Sequence, residues 1–374
     1  MVAKNKKISM NDLALMTGFS MSTVSKALNN KGRISEKTRK IILDKAKEHN
    51  FIADYFAQAL AKNESMVIGV IYPEHMGIGF SHPFYSVVLD SFRKTIESYG
   101  YEMLFLSPNM GKYKMTYVEY CKYRKVDGVL VVTFNHSDEQ LIELAESDIP
   151  LVCTDLNEFN TLTVVSDDFK GGQLAAKYLL DQGHKSIMHI AGPLTTAAGL
   201  NRFLGYEATM LENGIKDYKL RVANDFSYED GYHTVLELVK RGRMPTGLFL
   251  SSDWMAVGAI RALNENGYKV PEDISVIGYD NIEFFKYNSP SLTTIAQNGT
   301  LIGEKTATLL KEVIEGKDVE PFLIDTNNPT RVSYIMSKIK EARPELTEIK
   351  VYPLTPVVGA HAGPGTVGAG YILK

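Results

Sequence analysis

Cysteine is nearly missing from this chain: Cys121 and Cys153 are the only two in 374 residues. Two isolated thiols without Cys-x-x-Cys spacing exclude a disulfide framework and a cysteine-rich zinc site. Long apolar runs are missing too. No stretch of about eighteen apolar residues occurs, which argues against a membrane-spanning helix. The start, Met-Val-Ala-Lys-Asn-Lys-Lys, is basic but has no apolar segment behind it, so no signal peptide is expected and the chain is read as cytoplasmic. Catalytic signatures are also wanting. No Ser/His/Asp order and no glycine-rich phosphate loop falls in a strand–turn–helix context, so no enzyme activity, catalytic residue, cofactor or metal is expected. Tryptophan occurs once, at Trp254.

Charge, by contrast, is plentiful and unevenly placed. The first 62 residues carry twelve Lys/Arg against five Asp/Glu, a balance of +7, while the whole chain stands at −3. The remainder is therefore acidic, and only the N-terminal part has the electrostatic footprint of a phosphate-binding module. Within it, Ser9 can cap a helix with Asp12 at the capping-box position, and Leu13, Leu15 and Met16 are expected on the inner face. Thr17-Gly18-Phe19 reads as a tight turn. Ser20 can cap a second helix that turns Val24, Ala27 and Leu28 inward and leaves Met21, Ser22, Ser25 and Lys26 outward. Two short helices joined by a glycine turn form a helix-turn-helix, whose second helix enters the major groove. A third helix is expected over 35–49, with Thr38, Ile41, Ile42, Ala46 and Phe51 buried, and a short one over 54–61.

From Met66 the texture changes to apolar strands alternating with amphipathic helices. Strands are expected at 67–72, 101–106, 126–132, 150–154, 186–190, 219–222, 246–250 and 274–278. Helices are expected at 84–99, 113–124, 137–146, 168–182, 200–213, 228–241 and 253–265. Strands of this kind belong to parallel sheets covered on both faces, and this many make two doubly wound sheets. The fold class is therefore α/β: a helix-turn-helix headpiece followed by two doubly wound lobes. Ligands of such folds collect at the carboxyl ends of the strands, here between the lobes.

In this order of parts the chain closely resembles the lactose-repressor (LacI/GalR) family of bacterial transcription regulators, over about residues 7–335. The resemblance is carried by Ser20-Met-Ser-Thr-Val-Ser-Lys-Ala-Leu-Asn29, Ala57-Gln-Ala-Leu60, His82-Pro-Phe-Tyr85 and Val126-Asp-Gly-Val129. Gly183-His184, Ala191-Gly-Pro193, Arg202-Phe-Leu-Gly-Tyr206, Ser252-Asp253-x-Met-Ala-x-Gly258, Val276-Ile-Gly-Tyr-Asp280 and Pro290-x-Leu-Thr-Thr-Ile295 extend it. It implies a periplasmic-binding-protein-like core and divides the chain into a headpiece (1–53), a hinge helix and linker (54–65), a two-lobed effector-binding and dimerisation domain (66–335) and an atypical extension (336–374). It implies a homodimer, or a tetramer, that represses transcription from double-stranded operator DNA under the control of a sugar-like effector. A protein co-repressor of the catabolite-control type is the alternative. A solute-binding protein would share the lobes, but the headpiece and the missing signal peptide oppose it.

The resemblance also assigns residues. Met21, Ser22 and Lys26 fall on base-reading positions, with Asn29 and Arg33 near the backbone. Lysine can donate to guanine acceptors, serine can serve several bases, and methionine can meet a thymine methyl. Ser20, Thr23, Ser25 and the amides opening the helix suit phosphates. Leu60 matches the side chain that wedges into the minor groove, although Ala53 stands where proline is usual and Asp54 brings an acid close to phosphate. In the cleft, Phe84 and Tyr85 match an aromatic platform. Arg202 matches a bidentate donor to ligand oxygens, Asp280 a carboxylate accepting from hydroxyls, and Phe226 an aromatic closing over the ligand. Asp253, Asp155 and Asp168 are further candidates, with helix capping the competing role for Asp253 and Asp168. Glu74, His75 and His82 lie in a longer connection than usual, read as a surface loop rather than a metal site.

After Arg331-Val-Ser-Tyr-Ile335 that family normally ends. The extension is expected to hold a polar helix at 337–345, a strand at 348–352 and a loosely packed glycine-rich end. Its Pro356-Val-Val-Gly-Ala-His361-x-Gly-Pro-Gly365 resembles the end of the DegV fatty-acid-binding family. Gly363-Pro-Gly-Thr-Val-Gly368 fits GxGxxG, but too few residues follow it to supply a phosphate-binding helix.

Overall fold

The computed structural model describes residues 8–28, 32–49, 51, 64–72, 82–107, 109–110, 113–133, 138–154, 161–242, 244–287, 291–317, 319–325, 350–353 and 367–373. The chain separates into two compact units, Met1–Met66 and Val67–Lys374.

The first unit contains α1 (Met10–Thr17), α2 (Met21–Leu28) and α3 (Glu36–Glu48). The Ser9–Asp12 capping box forms as expected, Asp12 N donating to Ser9 Oγ at 3.1 Å and Ser9 N to Asp12 Oδ2 at 2.8 Å. Gly18 ends α1 with φ 74°, the left-handed conformation that a residue without a Cβ adopts cheaply. The core is Leu13, Ala14, Val24, Ala27, Ile42 and Ala46, with Phe19, Leu28 and Phe51 packed at its edge. Three expectations fail. Leu15 is 75% exposed, and Met16 and Ile41 also face outward. Three short helices enclose only a few side chains, and Ala14 rather than Leu15 lets α1 approach its neighbours.

The second unit holds two five-stranded sheets in which every recorded pairing is parallel. One has the order β2-β1-β5-β6-β7, built from β1 (Val67–Ile71), β2 (Glu102–Phe105), β5 (Gly128–Val131), β6 (Leu151–Cys153) and β7 (Leu162–Thr163). The other has the order β12-β11-β10-β8-β9, built from β8 (Ile187–Ala191), β9 (Lys219–Val222), β10 (Gly247–Leu250), β11 (Ser275–Asp280) and β12 (Thr293–Ala296). A two-residue pair, β3 (Asn109–Met110) with β4 (Tyr113–Lys114), occupies part of the span expected to be helical, because α5 (Tyr117–Arg124) starts only at the Thr116 capping box.

Helices α4 (Pro83–Ser98), α5 and α6 (Glu139–Ala145) belong to the first lobe. Helices α7 (Asp168–Asp181), α8 (Ala197–Glu212), α9 (Tyr228–Lys240) and α10 (Asp253–Glu265) belong to the second. Helix α11 (Gly299–Ile314) was not expected. It follows β12 in the second sheet but packs on α4 and on β5 and β6 of the first, so the chain crosses back between lobes. Ser91 Oγ donates to Thr300 O at 2.6 Å across this contact.

Within the extension a strand forms close to the one expected at 348–352, and the glycine-rich end, expected to be loosely packed, forms a second; both pair with a strand that precedes the extension. Strand β13 (Val319–Asp325) pairs in parallel with β14 (Lys350–Pro353) and antiparallel with β15 (Val367–Leu373). The expected helix at 337–345 lies outside the described residues, as do most of the hinge and the 73–81 connection. No described helix is long and apolar enough to cross a membrane.

Candidate DNA-reading helix and ligand cleft

Helix α2 presents a polar outer face. Ser20 caps it, accepting from Thr23 N at 3.2 Å, and the two hydroxyls are 2.9 Å apart. Val24 and Ala27 pin the helix to the core, which leaves Met21 47% exposed and Ser22 and Lys26 exposed beside it. Thr23 and Ser25 are half-buried along its flank. The Lys26 stem runs against Gly32: a Cβ added there would fall 3.1 Å from Lys26 Cδ. Packing part of the stem removes rotamer freedom from the ammonium that must find a base edge. Arg33 is exposed; Asn29 and Leu60 lie outside the described residues.

The cleft is organised around Arg202 on α8. Helices α7 and α8 approach backbone to backbone, since a Cβ at Gly172 would fall 2.0 Å from Arg202 O and one at Gly205 1.9 Å from Phe169 O. That approach puts Asp168, at the start of α7, beside Arg202, whose Nε donates to Asp168 Oδ1 at 2.8 Å. Nη1 donates to the Ser251 carbonyl and lies 4.0 Å from Asp280 Oδ1. The guanidinium stacks 3.8 Å from the Tyr279 ring centre and 5.8 Å from that of Phe226. Burial opposes its charge, but Asp168, Tyr279 and Asp280 outweigh that cost and hold the arginine protonated.

Asp280 ends β11 at φ 113°, followed by Asn281 at φ 57°. Residues held in such regions cost about 1–3 kcal/mol each and cluster at functional sites. The distortion has a visible consequence: consecutive strand residues normally face opposite sides, yet Tyr279 and Asp280 both reach Arg202. Gln297 Nε2 donates to Asp280 Oδ1 at 2.7 Å. Burial nevertheless pushes the Asp280 carboxyl up to about 7 against the opposing pull of Arg202, because Arg202 makes its close contact with Asp168.

Asp253 is fully buried at the start of α10 and accepts from Ile282 N at 2.7 Å and from the Thr294 hydroxyl. Burial raises it to about 6. Its oxygens tie β10, β11 and β12 together, and Ser252 supplies the cap by accepting from Met255 N at 3.1 Å. For α7 the capping role falls to Asp167, which accepts from Lys170 N at 2.9 Å and frees Asp168 for Arg202.

On the first lobe, Phe84 and Tyr85 pack edge to face with ring centres 5.2 Å apart, and Tyr72 stands 6.1 Å from Tyr85. The structure thus brings Arg202, Asp168, Asp280 and Phe226 together and sets Phe84 and Tyr85 on the first lobe; Asp155 lies outside the described residues. His82 corrects an expectation: it is buried, 4.8 Å from the Tyr85 ring, rather than in a solvated loop. Burial lowers its pKa to about 4, with the nearby Arg202 charge adding to the effect. Sequence reasoning missed Tyr279 and His189. The latter is enclosed in β8, stacks on Phe249 at 4.2 Å, and is lowered by burial to about 3, so it is uncharged. The unbroken apolar run around it, Ile187, Met188, Ile190 and Ala191, was the available signal for an interior histidine.

These shifts have opposite signs for stability. An unfolded Asp280 releases its proton near its ordinary value of 3.8 while the folded group holds it to about 7. The folded state therefore binds more protons in that window, and this group's contribution to stability falls as pH rises through it. His82 and His189 act oppositely: the unfolded imidazoles protonate first on acidification, so their contribution is lost as pH falls below about 6.5. Asp280→Asn should consequently gain in melting temperature relative to the parent as pH is raised from 5 to 7.5. A difference that stays constant across that range would show an ionised Asp280 throughout.

A basic helix-turn-helix unit followed by a two-lobed, ligand-cleft unit defines the class: a DNA-binding regulator with a small-molecule-binding domain. Residues 9–54 match the model for bacterial regulatory proteins of the lacI family, and residues 176–332 that for a periplasmic binding protein-like domain. The chain is 35% identical over 322 residues to the HTH-type transcriptional repressor PurR of Pasteurella multocida, covering 84% of this chain and 94% of that one. It is 35% identical over 298 residues to the HTH-type transcriptional regulator DegA of Bacillus subtilis, covering 78% and 87%. Among solved structures it is similar to a lac repressor dimer bound to operator and the anti-inducer ONPF (TM-score 0.70, 27% identity, 83% and 94% covered). A CelR–cellobiose complex is also similar (TM-score 0.59, 25% identity, 83% and 94% covered). The chain belongs to the lacI family of bacterial regulatory proteins and is a DNA-binding transcriptional repressor with a small-molecule effector domain. That family is one of regulators rather than enzymes.

Proposed function

We propose that this chain is a cytoplasmic homodimeric repressor whose α2 reads an operator and whose affinity for it is set by an uncharged, sugar-like effector held between the lobes. Met21, Ser22 and Lys26 contact base edges, while Ser20, Thr23, Ser25, Asn29 and Arg33 hold the backbone. Leu60 wedges the minor groove. In the cleft Phe84, Tyr85 and Phe226 stack on the ligand, Arg202 and Asp280 meet its polar atoms, and Asp155 and Asp168 border it; Asp253 acts by holding the strand ends in place.

The observation carrying the effector class is the charge balance around Arg202. Its one positive charge is already met by Asp168 at 2.8 Å, and Asp280 stands 4.0 Å away with its carboxyl raised to about 7. A phosphorylated ligand would enter beside one or two carboxylates with no further cation among the described residues around Arg202 to neutralise it, whereas hydroxyls can both accept from the guanidinium and donate to Asp280. A thermal-shift series of sugars, nucleobases and phosphosugars on the full chain tests this, read in parallel by the fluorescence of Trp254. The expected result is stabilisation by an uncharged compound with a saturable change in emission. Preferential stabilisation by a phosphosugar would contradict the charge argument.

A further inference from the structure

Buried polar atoms are nearly always hydrogen-bonded, so those that are not ask for an explanation. Three of them stand at the carboxyl edges of the two sheets. His82 is 6% exposed and occupies the cap position of α4, yet its side chain makes no cap bond and its Nδ1 has no partner among the described residues. Thr133, 3% exposed, follows β5 directly and its hydroxyl is likewise without one. Trp254 lies just past the end of β10 with Phe285 edge-on at 5.0 Å, and its indole Nε1 is buried with no acceptor among the described residues. Strands β1 and β5 are neighbours in register, Ile71 opposite Val131, so Tyr72 and Thr133 emerge from the same edge, and the rings of Tyr72, Tyr85 and His82 follow one another along it.

We propose that His82, Thr133 and Trp254 are effector contacts, a polar set drawn from both lobes that recognises an uncharged ligand bearing several hydrogen-bond acceptors. This rests on the reading of the cleft as the effector site. Indole N–H can only donate, so the ligand must place an acceptor against Trp254; imidazole and hydroxyl adapt to either role. A buried group without a partner weakens the ligand-free protein and is satisfied when ligand binds, which makes the set a source of specificity: a ligand lacking the matching atoms leaves all three unpaired.

The test uses the full chain with His82→Leu and Thr133→Val, the second nearly isosteric. Melting temperatures are measured without added ligand, and D-glucose, adenine and glucose 6-phosphate are titrated by calorimetry. The expected result is that both variants melt at or above the parent, while affinity for whichever uncharged probe binds falls about tenfold per lost hydrogen bond. Variants that melt several degrees lower would show that these groups serve the fold, and unchanged affinity would remove them from the ligand; either overturns the proposal. Glucose would identify a hydroxylated ligand and adenine a heterocyclic one. Tighter binding of glucose 6-phosphate than of either, or no heat from any probe, would overturn the ligand class while the melting comparison still decides the role of His82 and Thr133.

Discussion

Arg202→Met will melt the ligand-binding unit on the order of 10 °C below the parent, corresponding to about 3–5 kcal/mol, and will abolish its response to the effector. Methionine fills much of the arginine's volume, so the loss is electrostatic. Asp168 is left with its carboxylate 14% exposed and its 2.8 Å partner gone, and the Ser251 carbonyl loses a donor. An unpaired buried charge costs far more than the pair contributes when intact. The consequence is a distinguishing second variant: Arg202→Met combined with Asp168→Leu removes both charges and should regain much of the lost stability, because the uncompensated carboxylate is gone. It should not regain effector binding. Calorimetric melting separates the two effects, and a double variant that binds normally would place the ligand away from Arg202.

Lys26→Ala will weaken binding to the preferred operator by roughly 1–3 kcal/mol while changing affinity for random duplex much less. Lys26 is exposed on the face of α2 opposite Val24 and Ala27, and its stem is steadied against Gly32. A charge that only met phosphate would lower binding to all sequences alike and would reduce the slope of log affinity against log salt by about one unit. Fluorescence anisotropy on operator and random duplexes over a salt series distinguishes the outcomes. Equal losses on both would make Lys26 a backbone contact.

Much of this architecture was legible because local chemistry and tertiary context agree. The Ser9–Asp12 box, the Gly18 turn and the Ser20 cap are decided within four residues, and all three form. Helix Asp253–Glu265 and strand Lys219–Val222 match expectation residue for residue. Failures arose where a partner distant in sequence decides. Helix α11 was missed although Ile302, Leu309 and Leu310 mark an apolar stripe, because the regular alternation of strand and helix ends before it and its partner α4 lies some two hundred residues earlier. Ile41 and Leu15 were expected inside by hydrophobicity alone, but the headpiece core is filled by Leu13, Val24 and Ile42 with alanines between them. In the cleft, Arg202 and Asp280 were found as isolated motif positions. What joined them could not be read from spacing: the backbone contact through Gly172 and Gly205, and the positive φ at Asp280 that turns two adjacent residues toward one guanidinium. His82 was misplaced for the same reason, since a histidine before proline looks like a loop until the rings around it are known.

The central claim is that one chain couples sequence-specific DNA binding to occupancy of the Arg202 cleft. Its most direct test is to select duplexes from a random library with the full chain and then measure affinity for the winner with and without the compound that stabilises the protein most in the thermal-shift series. An enriched palindrome is expected, as a two-fold dimer requires, bound with steep salt dependence. The compound should shift that affinity at least fivefold in the parent but not in Arg202→Met/Asp168→Leu. Failure to enrich any palindrome, or an affinity indifferent to a compound that demonstrably binds the cleft, would contradict it.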